Sequence, residues 1–290
     1  MDDQTFFIIG AGGQLGTALR AQYPRARFAD VSQLDITDPH SIEAFDWSGI
    51  TTILNAAAFT DVDGAETAEG RVKAWQVNAS AVAHISRLCR QRGITLVHIS
   101  SDYVFDGTTA PHTEHEPLSP LNVYGASKAA GDLLVEQLDA YYLLRTTWVI
   151  GQGKNFVRTM LDLSQKDISP TVVADQIGRL TFTSELVRAI DHLLSSAAPF
   201  GTYNVTNSGP SASWADITRQ IFAIAGRDDL TVTDISTADY FANKPGVAPR
   251  PLASDMSLEK LHAVARRTTK LHRSPRLAQL LPEDLVCRLF

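Results

Sequence analysis

Thr5-Phe6-Phe7-Ile8-Ile9-Gly10-Ala11-Gly12-Gly13-Gln14-Leu15-Gly16 decides how this 290-residue chain is read. A short apolar run meets a cluster of glycines, and a helical pattern opens at Gln14. The stretch therefore reads as strand, tight turn and helix N-terminus. Bare backbone at Gly10, Gly12, Gly13 and Gly16 lets a pyrophosphate approach the amides of the turn. The helix start, with Gln14 and Leu15, favours negative charge there by ~0.3–1 kcal/mol. Placed between strand and helix, such a pattern points to a bound dinucleotide.

Further apolar runs at 27–29, 51–54, 95–99 and 142–144 alternate with helical patterns at 14–21, 39–45, 65–92 and 124–138. Their near-continuous apolar character predicts strands buried on both faces, in a parallel sheet. The strand–helix rhythm predicts an α/β protein built on a Rossmann-type doubly wound sheet. After Ile150 the rhythm changes, with helices at 156–164 and 184–194 around a strand at 171–173. A strand at 202–205 precedes a helix with Ser213 as N-cap and Asp216 three residues on. Residues 242–251 hold three prolines and one glycine and read as an extended loop. A helix at 256–264 and a basic run at 266–273 close the chain. The expected organisation is a dinucleotide-binding domain over 1–151, completed by the strand at 202–205. A smaller C-terminal α/β substrate-binding lobe takes most of 152–290.

Composition excludes several classes. Hydrophobic residues at 44% and charged residues at 20% rule out wholesale disorder. A net charge of −6 leaves no basic footprint for nucleic acid. Two cysteines, Cys89 and Cys287, make neither a disulfide framework nor a zinc site, and no metal is expected. The start, Met1-Asp2-Asp3-Gln4, is acidic where a signal peptide needs positive charge, and no apolar stretch approaches the ~20 residues that span a bilayer. The expectation is a cytoplasmic protein without membrane or nucleic-acid partners.

The strongest constellation is Ser101, Tyr124 and Lys128. Ser101 falls at the end of the fourth strand, on the rim where open α/β sheets bind ligands. Tyr124 and Lys128, four apart, share one helix face. A phenol titrates near pKa ~10, and a neighbouring ammonium stabilises its phenolate; a shift of about three units needs ~4 kcal/mol. Alone, a Tyr-x-x-x-Lys pair reads equally as a solvated helix face. Asp30 ends the second strand, where an acid bonds an adenosine ribose and repels a 2′-phosphate, or else caps a loop. Arg20 and Arg25 are close enough in sequence to receive such a phosphate, so NADPH and NADH both stay open. After the third strand, Asn55-Ala56-Ala57-Ala58 offers small side chains past which a cofactor could run, or which packing alone could want.

The spacing Gly10-x-x-Gly13-x-x-Gly16 resembles the extended branch of the short-chain dehydrogenase/reductases, which would place adenine by Asp35 and Ile36. The runs Asn55-Ala-Ala-Ala-Phe-Thr-Asp-Val-Asp63, Ser100-Ser-Asp-Tyr-Val-Phe-Asp-Gly107, Tyr124-Gly-Ala-Ser-Lys128 and Arg145-Thr-Thr-Trp-Val149 appear in order. With Gly153-Lys-Asn-Phe156, Asp175-Gln-Ile-Gly178 and Arg250-Pro251, they resemble the dTDP-4-dehydrorhamnose reductase family from Phe7 to about Leu261. The resemblance implies NADPH- or NADH-dependent reduction of the C4 ketone of a dTDP-linked sugar, with Ser101, Tyr124 and Lys128 as the catalytic set. It implies that Thr60, Val62, Ser101, Asp102, Tyr103 and Trp148 line the sugar site and that Arg250 meets the diphosphate. Trp148 also fits a core position, and Arg250 a solvated one. Some members of the family dimerise through a magnesium site of glutamates. Here Ala18 stands at one such position and Glu185 fits another, so a homodimer is compatible but a full magnesium site is not implied. Leu180 replaces the usual proline, and the tail from Arg266 departs from the family's ending.

Three other readings share the fold. A reductase or epimerase of another nucleotide-linked keto sugar would reuse the Tyr and the cofactor. A dehydratase would need a second carboxylate after Asp102, where Tyr103 stands. A non-catalytic subunit like the regulatory one of methionine adenosyltransferase would leave Ser101, Tyr124 and Lys128 idle.

Overall fold

The computed structural model describes residues 2–244 and 246–271. Residues 272–290, which include Cys287 and the end of the basic run, lie outside them. The chain runs β1 (Phe6–Ile9), α1 (Gln14–Gln22), β2 (Arg27–Ala29), α2 (Pro39–Ala44), β3 (Thr52–Asn55), α3 (Ala68–Trp75), α4 (Ala81–Arg92), β4 (Thr95–Ser101), α5 (Val123–Val135) and β5 (Tyr141–Thr146). It continues through β6 (Val149–Ile150), α6 (Phe156–Gln165), β7 (Thr171–Val173), β8 (Ile177–Gly178), β9 (Thr181–Phe182) and α7 (Thr183–Ser195). The last elements are β10 (Gly201–Asn204), β11 (Ala212–Ser213), α8 (Trp214–Ile224), β12 (Thr233–Ile235), α9 (Thr237–Phe241) and α10 (Glu259–Leu271).

Six strands form one parallel sheet in the order β10-β5-β4-β3-β1-β2. Period two along each strand splits its side chains between two cores. Phe6 and Ile8 of β1, Leu54, Val97 and Tyr142 meet Leu15 and Leu19 of α1 and Leu186, Ile190 and Leu193 of α7. Phe7 and Ile9, Ile53, Leu96 and Leu143 meet Ile42 of α2, Ile85 and Leu88 of α4 and Val135 of α5. Helices on both faces are what the apolar strands demanded. The sheet changes direction between β1 and β3, which opens a crevice at their carboxyl ends. A smaller core around Ile150, Met160, Leu180, Ile217 and Phe222 is carried by α6, α8 and short strands.

Local chemistry fixes the helix starts. Asn122 caps α5 by accepting from the Gly125 N–H at 2.7 Å, and Asn155 caps α6. Ser213 and Asp216 form the expected reciprocal capping box on α8. The helix read over 65–92 is instead α3 and α4 joined by a π-helical turn, Gln76–Ser80. That turn carries Asn78, whose amide bonds the Phe59 N–H, the Phe59 carbonyl and the Ser127 hydroxyl. The helix read from 256 starts only at Glu259. Before it, backbone at 255 and 257 is paired with His112, whose N–H donates to the Asp255 carbonyl and whose carbonyl accepts from the Ser257 N–H. Among the described residues no helix is long and apolar enough to cross a membrane.

Candidate active site

Gly10 has φ +79, and a Cβ there would stand 2.5 Å from the Ala57 nitrogen. A Cβ on Gly16 would stand 2.1 Å from the Gly10 carbonyl oxygen. These two glycines let the turn lie against the β3 exit and let α1 close on the turn. Gly12 is different: no protein atom lies within 4 Å of where its Cβ would be. Nothing in the fold itself needs glycine at 12, and the space above it is open. Gly13, the N-cap of α1, has no side-chain cap and is exposed, leaving the helix start to an outside acceptor. Leu15 and Ile36 put their side chains into the two cores, so each offers a ligand its backbone only. Ala56, Ala57 and Ala58 are half-buried beside the turn.

Asp30 is exposed at the end of β2 and accepts from the Ser32 hydroxyl at 2.6 Å and its N–H at 2.9 Å. Those bonds hold its carboxyl below the usual range, so it is charged at neutral pH. Asp35 accepts from the Thr37 N–H and hydroxyl in the same way. The Arg20 guanidinium lies 4.2 Å over the Phe28 ring. Arg25 is already engaged by Asp3, with Nε donating at 2.7 Å, which leaves it less free than Arg20 to receive a phosphate.

β4 delivers Ser101 to the rim, and α5 brings Tyr124 against it. Gly125 permits that approach, since a Cβ there would lie 2.2 Å from the Tyr103 carbonyl oxygen. The Ser101 hydroxyl lies close enough to the Tyr124 phenol to draw its pKa down. The same hydroxyl donates to Asp102 at 2.9 Å. Asp102 is fully buried beneath Ser101 rather than open to a sugar, and burial raises its carboxyl despite the Ser101 bond. The Tyr124 ring packs edge-on to Tyr103 at 5.5 Å, in a small cluster with Phe59 and Val62. Thr60 is exposed on the same loop.

The Lys128 ammonium does not point at the phenol as the helix-face argument expected. It donates to the Ile99 carbonyl at 2.7 Å and lies 3.5 Å from His98 Nε2. Burial brings Lys128 down to about 8. Burial likewise pushes the Tyr124 phenol up to about 12, with Ser101 opposing and the charges of Asp102 and Asp132 adding. The phenol is therefore protonated at neutral pH, where the sequence argument had it made more acidic.

Arg250 is neither solvated nor free. Its guanidinium donates to Asp63 at 2.7 Å, lies 5.7 Å from the Phe241 ring centre and exerts its charge on Tyr103. The Asn122 amide, donating to the Pro249 carbonyl at 2.8 Å, ties this Pro-rich loop to the start of α5. Trp148 has φ +47, an outlier for a bulky residue. It stacks 3.7 Å from Trp214, whose indole N–H donates to Gln176. Asp63 and Gln176 fall within the quoted runs but had no role assigned from sequence, and Trp214 had no local signal to mark it. Glu185 is paired with Arg188, and Ala18 packs on the first core. Among the described residues no group of three candidate metal ligands exists.

A family model described as the RmlD substrate binding domain matches residues 4–282. The chain is 35% identical over 288 residues to the dTDP-4-dehydrorhamnose reductase of Mycobacterium tuberculosis, covering 94% of this chain and 91% of that one. It is 38% identical over 232 residues to a dTDP-4-keto-6-deoxy-D-glucose reductase of Streptomyces niveus, covering 77% and 79%. The crystal structure of the Bacillus anthracis dTDP-4-dehydrorhamnose reductase in complex with NADP superposes with a TM-score of 0.81 at 33% identity, covering 89% and 92%. The glycine turn, the Ser101–Tyr124–Lys128 cluster and these likenesses agree, and the chain belongs to the dTDP-4-dehydrorhamnose reductase family.

Proposed function

We propose that this chain reduces the C4 ketone of dTDP-4-dehydro-6-deoxy-L-mannose to dTDP-L-rhamnose, with NADPH or NADH as co-substrate. The observation that carries the reading is the meeting of Ser101, Tyr124 and Lys128 at the carboxyl rim of the sheet, near a turn whose Gly12 keeps a cradle open. In this reading residues 1–151, with β10, hold the dinucleotide, and 152–290 supply most of the substrate lobe. Gly10, Gly12, Gly13, Gly16 and the amides of Gln14 and Leu15 hold the pyrophosphate, with Asp30, Asp35, Ile36 and Ala56–Ala58 along the nucleoside. When bound, the reduced nicotinamide supplies a hydride to the carbonyl carbon.

The protein's own groups manage the proton. A phenol held near 12 keeps its proton at neutral pH and stands ready as general acid. The alkoxide that develops at C4 is more basic than a phenolate, so transfer from Tyr124 runs downhill. The Lys128 ammonium, one turn along α5, then offsets the phenolate charge. Ser101 orients the carbonyl oxygen against Tyr124. Thr60, Val62, Tyr103 and Trp148 shape the sugar site, and Arg250 meets the diphosphate as a bidentate donor. Tyr103 leaves no second carboxylate beside Asp102, which favours reduction over dehydration.

Oxidation of NADPH and NADH by the purified protein tests this, with the dTDP-linked keto sugar run beside UDP- and GDP-linked ones. Dependence on the dTDP sugar is expected. The likeness to the Streptomyces niveus enzyme makes dTDP-4-keto-6-deoxy-D-glucose the second sugar to include. Tyr124→Phe should lose roughly 10²- to 10⁴-fold in kcat while still binding NADPH. No oxidation with any sugar would end the proposal, and near-full activity in Tyr124→Phe would remove the proton donor.

A further inference from the structure

His98 lies in the middle of β4 with no exposed surface, and the mechanism above does not use it. Its two ring nitrogens face different partners. Nδ1 is 3.0 Å from the Asn55 amide nitrogen on β3, and Nε2 is 3.5 Å from the Lys128 ammonium on α5.

The Asn55 side chain decides which nitrogen carries the proton. Its carbonyl oxygen accepts from the Ala57 N–H at 3.2 Å, which turns its NH₂ toward His98. An amide NH₂ can only donate, so Nδ1 must be the bare acceptor. The ring is neutral, because burial and the Lys128 charge hold it well below its ordinary value. A neutral imidazole with bare Nδ1 carries its hydrogen on Nε2. That N–H faces an ammonium, which also has only donors. In that tautomer two donors face each other across 3.5 Å and no hydrogen bond forms between them.

The other charges around Lys128 do not undo this. Asp132 lies one turn further along α5, but Arg145 of β5 donates to it at 2.9 Å, and both are buried. Tyr124 lies one turn earlier. Ile99 provides the one acceptor bonded below, at 2.7 Å.

We propose that His98 is a positioning residue: Asn55 locks it as the Nε2–H tautomer, and its N–H denies the Lys128 ammonium an acceptor on that side, leaving the Ile99 carbonyl to fix where the ammonium sits. The inference rests on Lys128 belonging to the catalytic set. It also explains why a histidine, and not an aliphatic residue, occupies the middle of a strand. A carboxamide at 98 could turn its oxygen to Lys128 and hold the ammonium in the wrong place.

NMR of the whole protein labelled with [¹⁵N]histidine and [¹³Cε]lysine tests this without turnover. The expected spectrum has His98 Nδ1 unprotonated and Nε2 protonated, with no titration near neutral pH. In His98→Gln, which gives Lys128 an acceptor, the Lys128 midpoint should rise from about 8 by about one pH unit, a tenfold change in proton affinity. A ring protonated on Nδ1 would overturn the proposal, and so would an unmoved Lys128 midpoint in His98→Gln. The tautomer is read on the unaltered chain, so a variant that fails to fold does not rescue the idea. An enzyme inactive on every keto sugar but showing the Nε2–H tautomer would sink the function and leave this assignment standing.

Discussion

Two alanine substitutions only two residues apart should have opposite effects. At Gly12 an added Cβ meets no protein atom within 4 Å, and φ is not in the left-handed region. Alanine there restricts the unfolded chain and should stabilise the protein by about 0.4–1 kcal/mol, or roughly 1–3 °C in Tm. At Gly10 the residue sits at φ +79, costing any L side chain ~1–2 kcal/mol. Its Cβ also falls 2.5 Å from the Ala57 backbone nitrogen, which cannot swing aside, adding ~1–3 kcal/mol. Gly10→Ala should therefore melt roughly 5–15 °C lower. Binding should separate the pair the other way. The Gly12→Ala methyl projects into the cradle and displaces a phosphate from one or two backbone amides, a loss of ~1.5–3 kcal/mol, or roughly 10- to 100-fold in Kd. Thermal unfolding without coenzyme and calorimetric titration with NADPH measure the two effects independently. If Gly12→Ala binds NADPH like the parent, or melts as low as Gly10→Ala, the cradle has been placed on the wrong glycine.

Lys128→Met should abolish turnover yet raise Tm by a few degrees at neutral pH. Lys128 is charged in both folded and unfolded chains below about pH 8, so the burial penalty is complete there; it fades above 8 and is gone near 10.5. Melts across that range should show the advantage shrinking as pH rises, and a constant advantage would contradict it. Asp30→Ser removes a charge expected to face the ribose, and should improve NADPH over NADH severalfold in kcat/KM; an unchanged ratio would place Asp30 away from the nucleoside. Arg250→Ala should raise KM for the dTDP sugar about tenfold with little change in kcat. Asp63→Ala breaks the same partly exposed pair, worth ~0–1 kcal/mol, but leaves the guanidinium to the substrate. Equal KM increases in the two variants would show that the pair matters as a loop clasp and not as a diphosphate site.

Much of the fold was legible because its signals are local. The strand before Gly10, the cap at Ser213 and the strand at 171–173 each follow from adjacent residues, and the long strands are off by one or two positions at most. The two-residue strands β6, β8, β9 and β11 were not legible, since their pairing depends on distant chain and leaves no period of its own. The π turn escaped because one extra residue in a turn barely alters a 3.6 repeat. Its purpose shows only when Asn78 reaches Phe59 and Ser127. In the site, Tyr124 and Lys128 do share a helix face, but which way the ammonium turns depends on Ile99 and His98 on a packed strand. Arg250 and Asp63 lie too far apart in the chain for either to announce the other.

The pairing of β10 with β5 has a consequence for synthesis. Arg145 has left the ribosome well before Gly201 exists, so β5 waits with an open edge and with Tyr142 and Leu144 uncovered by α7, Tyr203 and Val205. At about 5–20 residues per second the intervening chain takes roughly 3–12 s to make. A nascent chain halted in that interval is a five-stranded sheet with a raw border, the state in which this protein is most exposed to sticking to its neighbours. The last-made strand of the sheet is thus the one that renders the first-made half safe.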